Sequence, residues 1–300
     1  MAIKEIKLDL TPKIKKLEVY TKKNILNKML EGNWSSAFRG RGMEFAGFRS
    51  YNYNDDASQI DWKATLRAKE TLVREYEIER SVNTFFLFDV SNSMLFSSTG
   101  KLKCEYAAEL IDTMIYAILE AGDNVGMGMF TDKFIVKIEP NMGHGMYYKI
   151  TQELLNPENY GGNFDFEAIC KLTSTFLTTN AMLIIISDFL GLNDNWYKYL
   201  NMLSQNYEVI GIMVRDPRDS ELPEDIGQYI LEDPYSGEKM KVDMNKYREL
   251  YREYVKKEEF EIEKRFKATK SDFLKIKTDE DFYDPLLKFF RKRQYVQQNM

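Results

Sequence analysis

A chain of 300 residues, 44% hydrophobic and 30% charged, has the make-up of a soluble globular protein with a sizeable core, either one large domain or one domain with a substantial extension. It has no run of about 18 apolar residues, and the opening MAIKEIKLDL lacks the apolar centre of a signal peptide; with two isolated cysteines, Cys104 and Cys170, a reducing cytoplasm and no membrane span are expected. Charge is uneven, with 16 basic and 12 acidic residues in 1–80 against 26 and 35 in the remainder, and so acidic a body argues against nucleic acid as a partner.

In chain order, Thr11 as N-cap and Pro12 at the first helical position open a predicted helix over 10–31. Its many lysines read as a solvated face rather than a membrane or acidic-partner surface. Residues 33–80 mix arginines, aromatics, glycines and acids without a clear period. Arg39-Gly40-Arg41-Gly42 is too short for an RNA-binding Arg/Gly tract, so its glycines are assigned to tight turns. Asp55, Asp56, Asp61 and Trp62 read as a loop around a buried tryptophan, with the acids pairing to Arg49, Arg67 or Arg74. Residues 71–80 alternate in part, as a strand would.

A sheet domain is expected from Asn83. The stretch TFFLFDVSNSM (84–94) is a short apolar run that ends in Asp89, with Ser91 and Ser93 following at alternate positions. Such a run reads as a buried strand over 84–89. A helix follows over 101–121. Strands over 123–130 and 133–138 form an antiparallel hairpin. Helices over 145–155 and 164–179 flank the turn Asn159-Tyr160-Gly161-Gly162-Asn163. Ala181 to Ser187 then repeats the opening pattern and ends in Asp188. A helix over 193–205 and a strand over 208–214 come next. Turn signals predict a loop with a short hairpin in 215–242. The chain ends with a long charged helix over 243–267, a strand over 272–277 and a helix over 280–293.

Alternating strands and helices imply an α/β fold with a doubly wound, mainly parallel sheet. In the common strand order 3-2-1-4-5-6 the strands ending in Asp89 and Asp188 are neighbours, and the crevice between them is the topological switch point where such sheets bind ligands. The residues there offer only hard oxygen ligands, which suit Mg²⁺, with Mn²⁺ or Ca²⁺ as alternatives, better than zinc or copper. Asp89, Ser91, Ser93 and Asp188 are the candidate ligands, and the Gly161-Gly162-Asn163 loop is placed to add a fifth group. Serines at alternate positions can turn both hydroxyls to one cation, and an open coordination position would accept a carboxylate from a partner.

Several other chemistries fit less well. A phosphatase with an aspartate nucleophile needs a second acid two positions on, where this chain has Ser91. A serine–histidine–aspartate triad would have to use the only histidine, His144, which sits in a predicted glycine-flanked loop with no nucleophile elbow in the sequence. No P-loop motif occurs. A metal-dependent nuclease is disfavoured by the acidic charge. The plainest alternative is that Asp89 and Ser91 only cap the helix that follows.

Asp89-Val90-Ser91-Asn92-Ser93 resembles the metal-ion-dependent adhesion site of von Willebrand factor type A domains. That resemblance implies a Rossmann-like sheet with the order above. It also implies metal-binding roles for Asp89, Ser91, Ser93, Asp188 and a loop threonine, whose place is taken here by Asn163. Upstream, Gly40-Arg41-Gly42-Met43-Glu44-Phe45, Arg49-Ser50-Tyr51, Asp55-Asp56 and Ile60-Asp61-Trp62-Lys63-Ala64-Thr65 resemble the signature of the "domain of unknown function fifty-eight" family. Asp216-Pro217-Arg218 and Leu222-Pro223 fit downstream. Asn54 and Leu66 depart from the family's usual glycine and alanine. The signature marks Arg41, Glu44, Arg49, Asp55, Asp56, Asp61 and Trp62 as partner-binding or structural residues.

Members of that family are often encoded beside MoxR-type AAA+ ATPases. The resemblance therefore implies a non-enzymatic adaptor or co-chaperone that reaches its ATPase and a client through an acidic residue of theirs. A metal-dependent hydrolase using the same acids is the alternative. The expected organisation is an extension over 1–80 followed by a von Willebrand factor A-like domain over 81–295.

Overall fold

Four consecutive apolar side chains leave a strand no face for water, so the strand that carries them belongs in the middle of a sheet. In the computed structural model, strand β3 (Asn83–Asp89) holds that place, with Phe85, Phe86, Leu87 and Phe88 fully buried. The structure describes residues 42–298 other than 53, 54, 56, 69, 80, 81, 180 and 223–227; the helix expected over 10–31, Arg41 and Asp56 lie outside the described residues. The chain divides into two compact units, residues 38–81 being the smaller.

In the smaller unit, β1 (Gly42–Ser50) pairs antiparallel with β2 (Leu72–Glu79), with a register shift between Phe45 and Gly47. The short helix α1 (Trp62–Ala68) lies between them in sequence. Asp61 starts it, its Oδ1 accepting from the N–H groups of Lys63 and Ala64 at 3.0 Å each. The Arg49 guanidinium donates two hydrogen bonds to the Asp55 carboxylate, at 2.6 and 2.8 Å. Those bonds, then the N–H of Asn52, hold the Asp55 carboxyl down at about 2. The Asp55–Arg49 pairing is as expected, but Trp62 is not buried. It opens α1 with 66% of its surface exposed, because a first-turn helical position points it outward from a helix that has no buried residue.

The larger unit is built on six strands. After β3 and helix α2 (Lys103–Glu120) come β4 (Asn124–Phe130), β5 (Phe134–Asn141), α3 (His144–Leu155) and α4 (Phe166–Phe176). Then follow β6 (Met182–Ser187), α5 (Trp196–Asn206), β7 (Glu208–Arg215), the short helix α6 (Pro217–Ser220), the hairpin β8 (Gln228–Glu232) and β9 (Lys239–Asp243), α7 (Met244–Ala268), β10 (Asp272–Lys277) and α8 (Tyr283–Gln298). The sheet runs β10-β7-β6-β3-β4-β5. All neighbours are parallel except the β4–β5 hairpin, and β8–β9 forms a separate two-stranded sheet. From β3 the chain moves outward first to one side and then returns to add β6 on the other. β3 and β6 are therefore neighbours at the point where the winding reverses, in the register Phe88↔Ile186.

Alternation along the strands fills both faces. Phe85, Leu87, Leu183 and Ile185 join a core with residues of α4, α5 and α7, while Phe86, Phe88, Ile184 and Ile186 are equally buried on the opposite face. Each buried phenylalanine contributes about 2–3 kcal/mol of burial free energy. Gly211 of β7 is shaped by this packing, since a Cβ there would collide with the buried Phe266 ring of α7. Gly211→Ala should therefore cost about 1–3 kcal/mol in a urea titration; a neutral result would mean that α7 shifts at no cost. Among the described residues, no helix is long and apolar enough to cross a membrane.

Candidate metal centre

The pairing of β3 with β6 brings their polar ends together. Asp89, Ser91, Ser187 and Asp188 are fully buried and Ser93 is 2% exposed. The Ser187 hydroxyl donates to Asp89 Oδ2 at 2.6 Å, and the Ser91 N–H donates to Asp89 Oδ1 at 2.9 Å. The Oγ atoms of Ser91 and Ser93 are 3.3 Å apart. Ser93 belongs to a 3-10 turn over Asn92–Leu95, which folds the two hydroxyls to the same side. After Asp188 the chain turns sharply through Phe189, whose φ of 54° is a left-handed conformation. That conformation costs an aromatic residue about 1–2 kcal/mol. It is held by full burial of the ring beside Phe266 and by the Phe189 N–H donating to Ser187 Oγ at 2.8 Å.

The two carboxylates are in unlike electrostatic settings. Burial pushes the Asp89 carboxyl up, and the nearby Asp188 charge pushes it further; the contacts from Ser187 and Ser91 offset this only in part. Among the described residues Asp89 forms no ion pair. Burial also works against the Asp188 charge, but the Lys103 ammonium and the Arg215 guanidinium outweigh it and hold Asp188 below the usual carboxylate range. Lys103 Nζ, itself buried at the start of α2, donates to Asp188 at 2.7 Å and to Asp219 at 2.8 Å. Asp188 Oδ1 accepts from the Leu190 N–H at 3.0 Å. Asp219 Oδ2 also accepts from the Asp216 N–H at 3.0 Å, within a capping box that opens α6. Asp216 in turn receives the Ser98 N–H at 2.7 Å, which ties the loop before α2 to the end of β7.

The Gly161–Gly162 backbone lies against the serine turn. Gly161 N–H donates to Val90 O at 2.7 Å, Asn92 N–H to Gly162 O at 2.9 Å, and Gly162 N–H back to Asn92 Oδ1 at 2.9 Å. Gly162 has φ 133°, and a Cβ there would press on Thr131 at 3.0 Å, so the position requires glycine. Asn163 follows this loop with an exposed side chain that makes no hydrogen bond among the described residues. Of the upstream signature, Glu44 lies in β1, and Arg49, Asp55, Asp61 and Trp62 lie in the smaller unit.

Four residues of the site are not identified by the sequence reading. Ser187 sits one place before Asp188, where a polar residue ending an apolar strand is a fair signal. Lys103 falls inside a predicted helix and carries none. Asp219 and Tyr235 fall in the turn-rich stretch 215–242, which predicts loops but no contact. Tyr235 donates its hydroxyl to Ser93 Oγ at 3.0 Å and lies 3.2 Å from Ser91 Oγ.

Chemically, the cluster offers two carboxylates and several hydroxyls, all hard oxygen donors. Among the described residues no group of three or more His, Cys, Asp or Glu side chains could hold a metal ion, so hydroxyl oxygens are essential to any cation bound here. The serine hydroxyls face each other and Tyr235, with no imidazole beside them. His144 opens α3 with a largely exposed side chain, 3.9 Å from Glu120, and takes no part.

Comparison with known proteins places the chain. The uncharacterized protein Rv1480 of Mycobacterium tuberculosis is 25% identical over 278 residues, covering 91% of this chain and 86% of its own. Among solved structures, the conserved hypothetical protein BatB of Bacteroides thetaiotaomicron matches with 17% identity and a TM-score of 0.46, over 71% of this chain and 98% of its own. An aerotolerance-related membrane protein of Bacteroides fragilis matches with 16% identity and a TM-score of 0.46, over 72% and 100%. The model of the family described as protein of unknown function DUF58 matches residues 47–261, most of the chain, and the chain belongs to that family.

Proposed function

We propose that this protein is a Mg²⁺-dependent protein-binding module with a von Willebrand factor A-like metal-ion-dependent adhesion site, acting in the cytoplasm as an adaptor of a MoxR-type AAA+ ATPase. The observation that carries the reading is Asp89. It is a fully buried carboxylate with no ion pair among the described residues, beside two hydroxyls and a second carboxylate at a sheet's switch point. A buried charge without a counter-ion is unstable, and a dication in oxygen coordination would supply the missing positive charge.

Further support comes from the winding of the sheet. Counted within the six-stranded sheet alone, the strands run in the order third, second, first, fourth, fifth, sixth. The strained Phe189 backbone next to Asp188 is a second support, since such strain collects at functional sites. In this reading Asp89, Ser91, Ser93 and Asp188 hold the cation. Asn163 takes a further position from a loop already fixed against Asn92. The cation supplies an open coordination position for a carboxylate of the ATPase or its client. The partner class itself rests on the family resemblance. Binding is preferred to hydrolysis because the serine hydroxyls have no imidazole beside them and already face Tyr235.

The test is capture from lysate of the source organism on immobilised full-length protein, with Mg²⁺ or with EDTA, using wild type and Asp89→Ala. An AAA+ ATPase should be retained in Mg²⁺ and fall at least about tenfold with either change. Capture indifferent to both would sink the metal-bridged mechanism.

A further inference from the structure

The hydroxyls of Ser91 and Ser93 already have a visitor from the same chain. The tip joining β8 to β9 is a preorganised turn. Asp233 Oδ1 accepts the N–H groups of Tyr235 and Ser236 at 2.8 Å each, and Gly237 N–H returns to Asp233 O at 2.9 Å. From this turn Tyr235 alone points inward: it is half-buried while Asp233, Pro234, Ser236 and Gly237 are exposed. Its hydroxyl meets both serine hydroxyls, and its ring lies over Gly191, in the loop that leaves Asp188. Asn92 adds a second tether, its Nδ2 donating to Pro234 O at 3.1 Å while its Oδ1 holds Gly162. One side chain thus fastens two loops over the site. Among the described residues the hairpin forms no strand pairing with the central sheet, so its tip can lift without breaking that sheet.

We infer that the β8–β9 hairpin is a latch that closes the site, with the Tyr235 hydroxyl standing on the serine pair where an incoming ligand oxygen would approach. The latch rests on reading this site as one that admits a cation and then a partner carboxylate; it adds that the resting chain is self-occupied and that capture competes with Tyr235. A protein whose competent state is only fractionally populated binds more weakly by that fraction, so freeing the tip should raise affinity.

The experiment compares full-length wild type with Tyr235→Phe, which keeps the ring and removes the hydroxyl. Hydrogen exchange is followed over residues 228–243, and Mn²⁺ alone is titrated by calorimetry. Loss of the hydroxyl contacts should speed exchange of the tip about tenfold and tighten Mn²⁺ binding several-fold. Unchanged exchange overturns the latch. Faster exchange with equal Mn²⁺ affinity overturns the competition. Faster exchange with no Mn²⁺ bound by either protein leaves the latch standing and removes the metal-centre reading instead.

Discussion

Lys103→Met should destabilise the protein by about 3–5 kcal/mol, the cost of breaking a buried ion pair from one side. Methionine matches the length of the lysine stem, so packing at the start of α2 is retained and the loss is electrostatic. What remains is Asp188, fully buried, with the Leu190 N–H and the Arg215 charge but without the ammonium 2.7 Å away. Asp219 loses the same partner, although it keeps the Asp216 N–H. The double variant Lys103→Met with Asp188→Asn should recover part of the loss, because the amide carbonyl can still accept from Leu190 and only Asp219, which keeps the Asp216 N–H, is left without the ammonium. Urea titrations of the four proteins in EDTA give the cycle. A single variant within about 1 kcal/mol of wild type would show that the buried ammonium carries little of the folding energy.

The parts of this molecule that the sequence reveals are those fixed by local pattern. β3 and β6 are legible because strands buried on both faces must be apolar throughout, and their ends are legible because Asp89 and Asp188 interrupt that pattern abruptly. The β4–β5 hairpin is legible from its short turn. The long helix α7 is marked by charge and length, and the β8–β9 hairpin by its turn residues. In the smaller unit β1 and α1 are missed. β1 contains glycines and a register shift that spoil any period of two, and α1 has no buried residue to mark a face. Trp62 misleads for the same reason, since a large aromatic is expected inside and here opens an exposed helix. Within the site, the carboxylates and hydroxyls at the strand ends are legible and their modifiers are not. Lys103 reaches Asp188, and Tyr235 reaches Ser93, only through tertiary folding, and no spacing in the chain encodes either contact.

Those modifiers make the site asymmetric in charge. Asp188 is supplied with positive charge by the protein itself, whereas Asp89 is not. In the proposed metal centre a cation would therefore be held mainly through Asp89, because Asp188 already faces the Lys103 ammonium at 2.7 Å. Binding should be correspondingly modest and sensitive to Asp89 above all.

Asp89→Asn should accordingly reverse the order of stability between metal-free and metal-replete conditions. The amide keeps the size of the carboxylate, and its oxygen still accepts from the Ser91 N–H. Its NH₂ group meets the Ser187 hydroxyl, which can accept as well as donate while keeping the bond from Phe189. The substitution removes a buried carboxyl whose ionisation burial and the Asp188 charge oppose, and which has no ion-pair partner among the described residues. In EDTA near neutral pH the variant should therefore be more stable than wild type, by on the order of 2 kcal/mol. Saturating Mg²⁺ should change the sign. Wild type gains RT ln(1 + [L]/Kd), about 2.7 kcal/mol at a hundred times the dissociation constant, and the variant gains almost nothing. Thermal melts of both proteins across a Mg²⁺ series give the crossing directly. A variant that is less stable in EDTA, or that gains as much from Mg²⁺ as wild type does, would mean that Asp89 holds the turn together and no cation. A crossing would mean that the fold tolerates an unfavourable buried charge here because function uses it, as a stability cost at a working site requires.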